Sequence, residues 1–185
     1  GDVSVAIGNG ALKTQNFTTA TDAYNTAVGH ETGKAITTGT ENTIIGGRAG
    51  DALTDADKNV AVGSEALSAD TLGSNSTALS TDTLGNKSIA IGQAALFTQN
   101  FTTATDTFNT AVGARAGVEV TTGSQNTIIG GNAADALTVG ANVVAVGYKA
   151  LSSDTKGFGS TAIGNQALEN QNFTTNTDSH NTAVG

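Results

Sequence analysis

Two histidines, His30 and His180, are the side chains here whose ordinary pKa lies nearest neutrality. A metal centre or an acid–base couple needs further ligands or a partner close by. The chain has no cysteine, and each histidine stands alone in a variable stretch, so both read as solvated turn residues. The segment 51–57 carries Asp51, Asp55 and Asp57, oxygen ligands of the kind Ca²⁺ takes. Their spacing fits no EF-hand, and only Asp135 of that set recurs in the equivalent later stretch. Serine is abundant, yet no Gly-x-Ser-x-Gly elbow follows a strand and opens a helix. The remaining carboxylates scatter over turns without the fixed pairing that polysaccharide cleavage requires. Catalytic residues, cofactors and metals are therefore assigned to none of these positions, and the chain reads as a non-enzyme.

Binding chemistry is a better fit. The segment Gln15–Asp22 recurs as Gln99–Asp106 and Gln171–Asp178, presenting Phe17, Phe101 and Phe173 beside hydroxyls and followed by Asp22, Asp106 and Asp178. Such a segment could contact a glycan or a neighbouring subunit. The favoured reading is plainer: a long turn, with Phe capping the interior and Asp accepting from nearby backbone amides. Glycosylation sequons occur at Asn16, Asn75, Asn86, Asn100 and Asn172, several of them expected by chance in a chain this rich in Asn and Thr. Recurring Thr also raises an ice-binding plane of hydroxyl rows, which coils of unequal length are expected to interrupt.

These residues are positioned by a repeat. Asn59-Val60-Ala61-Val62-Gly63 has counterparts ending at Gly8, Gly29, Gly46, Gly92, Gly113, Gly130, Gly147, Gly164 and Gly185, and a degenerate copy ends at Ser80. The gaps between final residues are 21, 17, 17, 17, 12, 21, 17, 17, 17 and 21. A block of 21+17+17+17 residues thus occurs twice, separated by one short coil, and the insert belongs to the 21-residue coils alone. Fixed-period self-similarity marks a solenoid. Thr and Val favour extended backbone, and the spacing predicts two short β segments per coil with glycines at positive-φ corners. No helical period competes. The Asn that opens each motif is expected to stack from rung to rung.

Both faces of the strand motif are apolar. Ile44-Ile45 and Ile128-Ile129 send large side chains to opposite sides, and other copies carry Val or Ile on one face and Ala on the other. Strands buried on both sides read this way. One face is expected to fill the coil, and the small Ala face to approach a second sheet closely. A narrow coil has no such sheet of its own, so identical chains are the expected partners, with a trimer about a common axis as one solution.

Composition agrees. Gly is 24 of 185, aromatics are 4%, and Pro, Cys, Met and Trp are absent, so the core must be thin. The formal charge is −8 with only eight Lys+Arg, which argues against nucleic acid as partner. No membrane span or signal sequence is read within the segment. The pattern runs across both ends, so residues 1–185 read as one continuous solenoid of about eleven coils, a window from a longer fibrous protein.

The phased pattern Asn/Ser-x-Ala-Val/Ile-Gly-x-x-Ala resembles the head repeat of trimeric autotransporter adhesins. The variant Asn-Thr-Ala-Val-Gly followed by Thr-Thr-Gly and Asn-Thr-x-Ile-Gly, at Asn25–Gly46 and Asn109–Gly130, is similar to repeats in phage tail fibres and related bacterial surface proteins. That resemblance implies an all-β, left-handed parallel β-roll in an intertwined homotrimer. It also implies an extracellular or virion location, or a bacterial cell surface, and attachment to a glycan or other host receptor. Coils of 12, 17 or 21 residues depart from the shorter adhesin-head coil, which favours the fibre.

Overall fold

The computed structural model describes residues 3–69, 71–79, 86–99 and 105–185. They form an all-β solenoid with no helix among them. Eleven three-residue strands stack in one parallel sheet: β1 (Val5–Ile7), β2 (Thr26–Val28), β3 (Thr43–Ile45), β4 (Val60–Val62), β5 (Thr77–Leu79), β6 (Ile89–Ile91), β7 (Thr110–Val112), β8 (Thr127–Ile129), β9 (Val144–Val146), β11 (Thr161–Ile163) and β13 (Thr182–Val184). Each is the core of one copy of the motif. The degenerate copy joins as β5, although Ser80 lies outside the described residues.

The register never slips. Ala6 pairs with Ala27, Ala27 with Ile44, Ile44 with Ala61, and so on through Ala162 with Ala183, whether 12, 17 or 21 residues intervene. Slipping by one residue would turn every side chain to the other face, so a buried face holds the register. Unequal coils therefore leave the strand sheet uninterrupted, contrary to the expectation that they would break any regular plane.

A second strand in every coil does not form. Outside β10 (Gly157–Phe158) and β12 (Thr177–Asp178), which pair with each other, and a lone parallel bridge between Asn86 and Asp106, the described segments between strands are turns, bends and irregular backbone. They hold left-handed residues at two fixed places, illustrated by Arg48 (φ 58°) and Gly50 (φ 56°), and such residues cannot extend a strand. Axial hydrogen bonding continues through these turns nevertheless, from Gly33 N to Ala49 O, Gly50 N to Ala66 O and Thr37 N to Thr54 O.

The inward face is the reverse of the expected one. The middle strand residue, Ala in nine of the eleven strands and Ile44 or Ile128 in the others, points into the coil, and Ala27, Ile44, Ala61, Ala111 and Ile128 are fully buried. Val and Ile at the third position face outward. The turns supply the reason. Large residues four or seven past the motif glycine, such as Leu67, Leu96, Leu151, Ile36 and Leu53, fill the interior and leave room for Ala. Where the middle residue is Ile44, the corner residue is Gly50, whose added Cβ would lie 3.0 Å from Ile44 Cδ1. Gly117 stands in the same relation to Ile128, at 2.8 Å. Large and small side chains alternate across the facing positions, as native packing density demands.

Glycine also serves the stack itself. The motif glycines lie at φ between 126° and 142° in Gly8, Gly29, Gly46, Gly63 and Gly92, and an added Cβ on Gly29 would sit 2.5 Å from the carbonyl oxygen of Gly46. The second-turn glycines Gly39, Gly123 and Gly140 are not positive-φ corners. Each is small because the next rung's carbonyl leaves no room for a Cβ.

Candidate interaction surfaces

The first surface is the outward face of the strand sheet. Its third-position column runs Ile7, Val28, Ile45, Val62, Leu79, Ile91, Val112, Ile129, Val146, Ile163 and Val184. Ile45, Leu79, Ile129 and Ile163 are 38–40% exposed, against 0% for the middle residues beside them. The first-position column is mixed, with Thr26, Thr43, Thr77, Thr110, Thr127, Thr161 and Thr182 among Val5, Val60, Ile89 and Val144. The result is an apolar stripe one residue wide and eleven rungs long. Stripes of this extent on an isolated surface mark interaction sites.

The second feature is internal. Asn25, Asn42 and Asn59 are buried and stack as expected. Asn25 Oδ1 accepts from Asn42 N (2.9 Å) and Nδ2 (3.1 Å), and Asn42 Oδ1 accepts from Asn59 N (3.0 Å) and Nδ2 (3.1 Å). Each Nδ2 also donates across the coil, to Gly39 O, Ala56 O and Gly73 O at 2.7–2.8 Å. Asn109 and Asn126 repeat the arrangement and hand it on to Val143 N. Every amide thus meets buried donors and acceptors that would otherwise lack partners.

In the insert coils the interior is closed by Gln rather than Phe. Gln99 is fully buried; its Oε1 accepts from Asn109 Nδ2 at 3.0 Å, and its Nε2 reaches Ser88 Oγ and Thr107 Oγ1, which bond to one another. Gln171 Nε2 donates to the buried Asp154 at 2.6 Å, and Asp154 also accepts from Gly157 N and Phe173 N. Sequence reading missed Asp154, although its place seven past Gly147, where other coils carry Leu53 or Leu137, marks an inward position.

Phe17 and Phe173 are half-buried and stand outside the apolar core, while Phe101 and Asn100 lie outside the described residues. Asp22, Asp106 and Asp178 are exposed. The partners of the first two are side chains rather than backbone amides. Tyr24 Oη donates to Asp22 at 3.3 Å, and Asp106 takes Lys87 Nζ at 2.5 Å and Asn86 Nδ2 at 3.3 Å. The Lys87 ammonium, with the Asn86 amide, holds the Asp106 carboxyl below its usual range. Of the sequons, Asn16, Asn75 and Asn172 are exposed, whereas Asn86 is half-buried with its Oδ1 taken by Ser74 N.

The acidic segment 51–57 is committed to its neighbours. Asp55 Oδ1 accepts from Thr37 and Thr38, which lowers its pKa, Asp57 accepts from Thr40, and Asp51 pairs with Arg48. Among the described residues no three His, Asp or Glu side chains gather as a metal site, and no helix is long and apolar enough to cross a membrane. Sequence reading also passed over a row of residues five before the last residue of each motif: Val3, Tyr24, Glu41, Lys58, Asn75, Lys87, Phe108, Gln125, Asn142 and His180 are exposed, Gly159 is half-buried, and all lie at positive φ. Its signal was the constant offset. Comparison with known proteins finds no matching family model, no matching curated protein and no matching solved structure.

Proposed function

We propose that this chain is part of the shaft of a fibre, structural and adhesive in role, in which three identical chains associate through the outward strand face. The reading combines the sequence resemblance with one structural observation, the unbroken eleven-rung aliphatic column. Covering residues that are 38–40% exposed recovers on the order of 1 kcal/mol each. Repeated along the rungs in register, that is enough to hold chains together without disulfides. Parallel stacking with constant register gives a stiff rod, about 50 Å long for ten steps of ~4.8 Å. The acidic surface keeps such rods from adhering sideways. A phage tail fibre or similar host-attachment appendage is the favoured setting, and a bacterial surface adhesin head the alternative.

The test is sedimentation equilibrium of the purified chain. A species three times the 18.3 kDa chain mass is expected, falling to monomer when Ile45 and Ile129 are both changed to Lys. A stable monomer of the unmodified chain would overturn the assembly. It would instead favour the ice-binding reading, because the strand sheet is continuous and carries Thr at seven of its eleven outward first positions.

A further inference from the structure

The row five residues before the last residue of each motif is exposed except at the half-buried Gly159, against which the His180 ring packs, and its composition is not uniform. In the 17- and 12-residue coils it carries charged or amide side chains, Glu41, Lys58, Asn75, Lys87, Gln125 and Asn142, except for Gly159, and before Gly8 it carries Val3. In the insert coils it carries rings, namely Tyr24, Phe108 and His180. Tyr24 is 54% and Phe108 51% exposed, so neither ring contributes to the apolar core. All sit at positive φ (51°, 52° and 46°), a conformation that the stack imposes on every residue of the row and that bulky side chains enter at a cost. A polar residue or glycine would serve the fold there, as in the 17- and 12-residue coils.

Each ring follows a carboxylate by two residues, Asp22, Asp106 and Asp178. In the first pair Tyr24 Oη lies 3.3 Å from Asp22; the second pair is bridged by Lys87, whose Nζ lies 2.5 Å from Asp106 and 5.1 Å from the Phe108 ring centre. The rings recur at five and then four rung steps, about 24 Å and 19 Å along the axis at ~4.8 Å per rung.

We propose that this row binds a neutral, extended polysaccharide lying along the solenoid axis. A pyranose offers an apolar face of polarised C–H groups, which the negative face of an aromatic ring attracts, and a rim of hydroxyls. Carboxylates accept from those hydroxyls; Lys donates to them, and the Asn and Gln amides do both. The row mixes Glu41 with Lys58 and Lys87, and the chain carries a net −8, so a polyanion is disfavoured. Several weak contacts on one long ligand act together through effective concentration. The proposal rests on the fibre reading in one respect: the row must stay accessible when chains associate through the strand face.

Affinity electrophoresis of the full chain tests it, in native gels cast with mannan, dextran, laminarin or galactomannan. Retardation in at least one gel is expected. Tyr24→Ala with Phe108→Ala should weaken it at least tenfold, while Tyr148→Ala, an equally exposed ring off the row, leaves it unchanged. Circular dichroism establishes that the variants fold. Free migration of the unmodified chain in every gel, or equal retardation of the double variant, overturns the proposal. So does a loss of assembled mass in the double variant on sedimentation, which would assign the rings to subunit contact. Retardation by a monomeric chain would leave this proposal standing and sink the trimer alone.

Discussion

At the scale of single residues, the asparagine stack has the clearest energetic consequence. Asn42→Ala leaves Asn59 N without the acceptor it has at 3.0 Å and Ala56 O without the amide donor it has at 2.8 Å, both inside the coil. Stranded buried groups cost about 1–3 kcal/mol apiece. The variant should lose on the order of 3 kcal/mol, read as a lower urea midpoint. Asp135 behaves oppositely to the paired carboxylates: burial pushes its pKa up, outweighing the hydrogen bond from its own backbone amide and the Arg115 and Lys149 charges. A raised folded-state pKa means the ionised form burdens the fold above that pKa, and the burden vanishes once both states are protonated. Asp135→Asn should therefore raise the melting temperature at pH 7 and leave it unchanged near pH 3. For Asp106 and Asp55 the folded pKa is depressed, so their contribution is present at neutral pH and fades as pH falls through that lowered value. The Asn stack was legible in the sequence because its spacing equals the motif's. Asp154 was not, because its role depends on Gln171 and Phe173 from the following coil.

At the scale of the coil, adjacent glycines separate two reasons for glycine. Gly46 lies at φ 137° with its Cβ position blocked by Gly63 O, whereas a Cβ on Gly47 would meet nothing within 4 Å. Gly46→Ala should disrupt the stack by several kcal/mol. Gly47→Ala should be neutral or stabilise by about 0.4–1 kcal/mol, through the unfolded chain's lost freedom. Thermal melts of the pair check both. Strand positions and pairing order were legible here, since the motif phase alone aligns all eleven strands. The inward face was not. Alternation says that Ala61 and Val62 point oppositely, but which points in depends on whether a corner residue such as Leu67 has already taken the space. Glycine spacing misled for a similar reason, because Gly39 and Gly140 yield to a carbonyl on the next rung rather than to their own φ.

At the scale of the whole molecule, the backbone hydrogen bonds between rungs run along the axis, in series, and so does the asparagine stack. A rod built this way has direction-dependent mechanics. Tension applied at its two ends is carried in full by every rung junction, and the terminal coils, held by a neighbour on one side only, peel first. Each 17-residue coil releases about 56 Å of chain at roughly 3.3 Å per residue, and the 12- and 21-residue coils release proportionately less and more. A single-molecule pulling trace of one chain should therefore show steps in the order of the coil lengths, a readable barcode of the sequence. Uniform steps, or one all-or-none rupture, would show instead that force spreads across rungs. Bundling chains side by side would put several such series in parallel, so that a shaft resists tension that no single solenoid withstands.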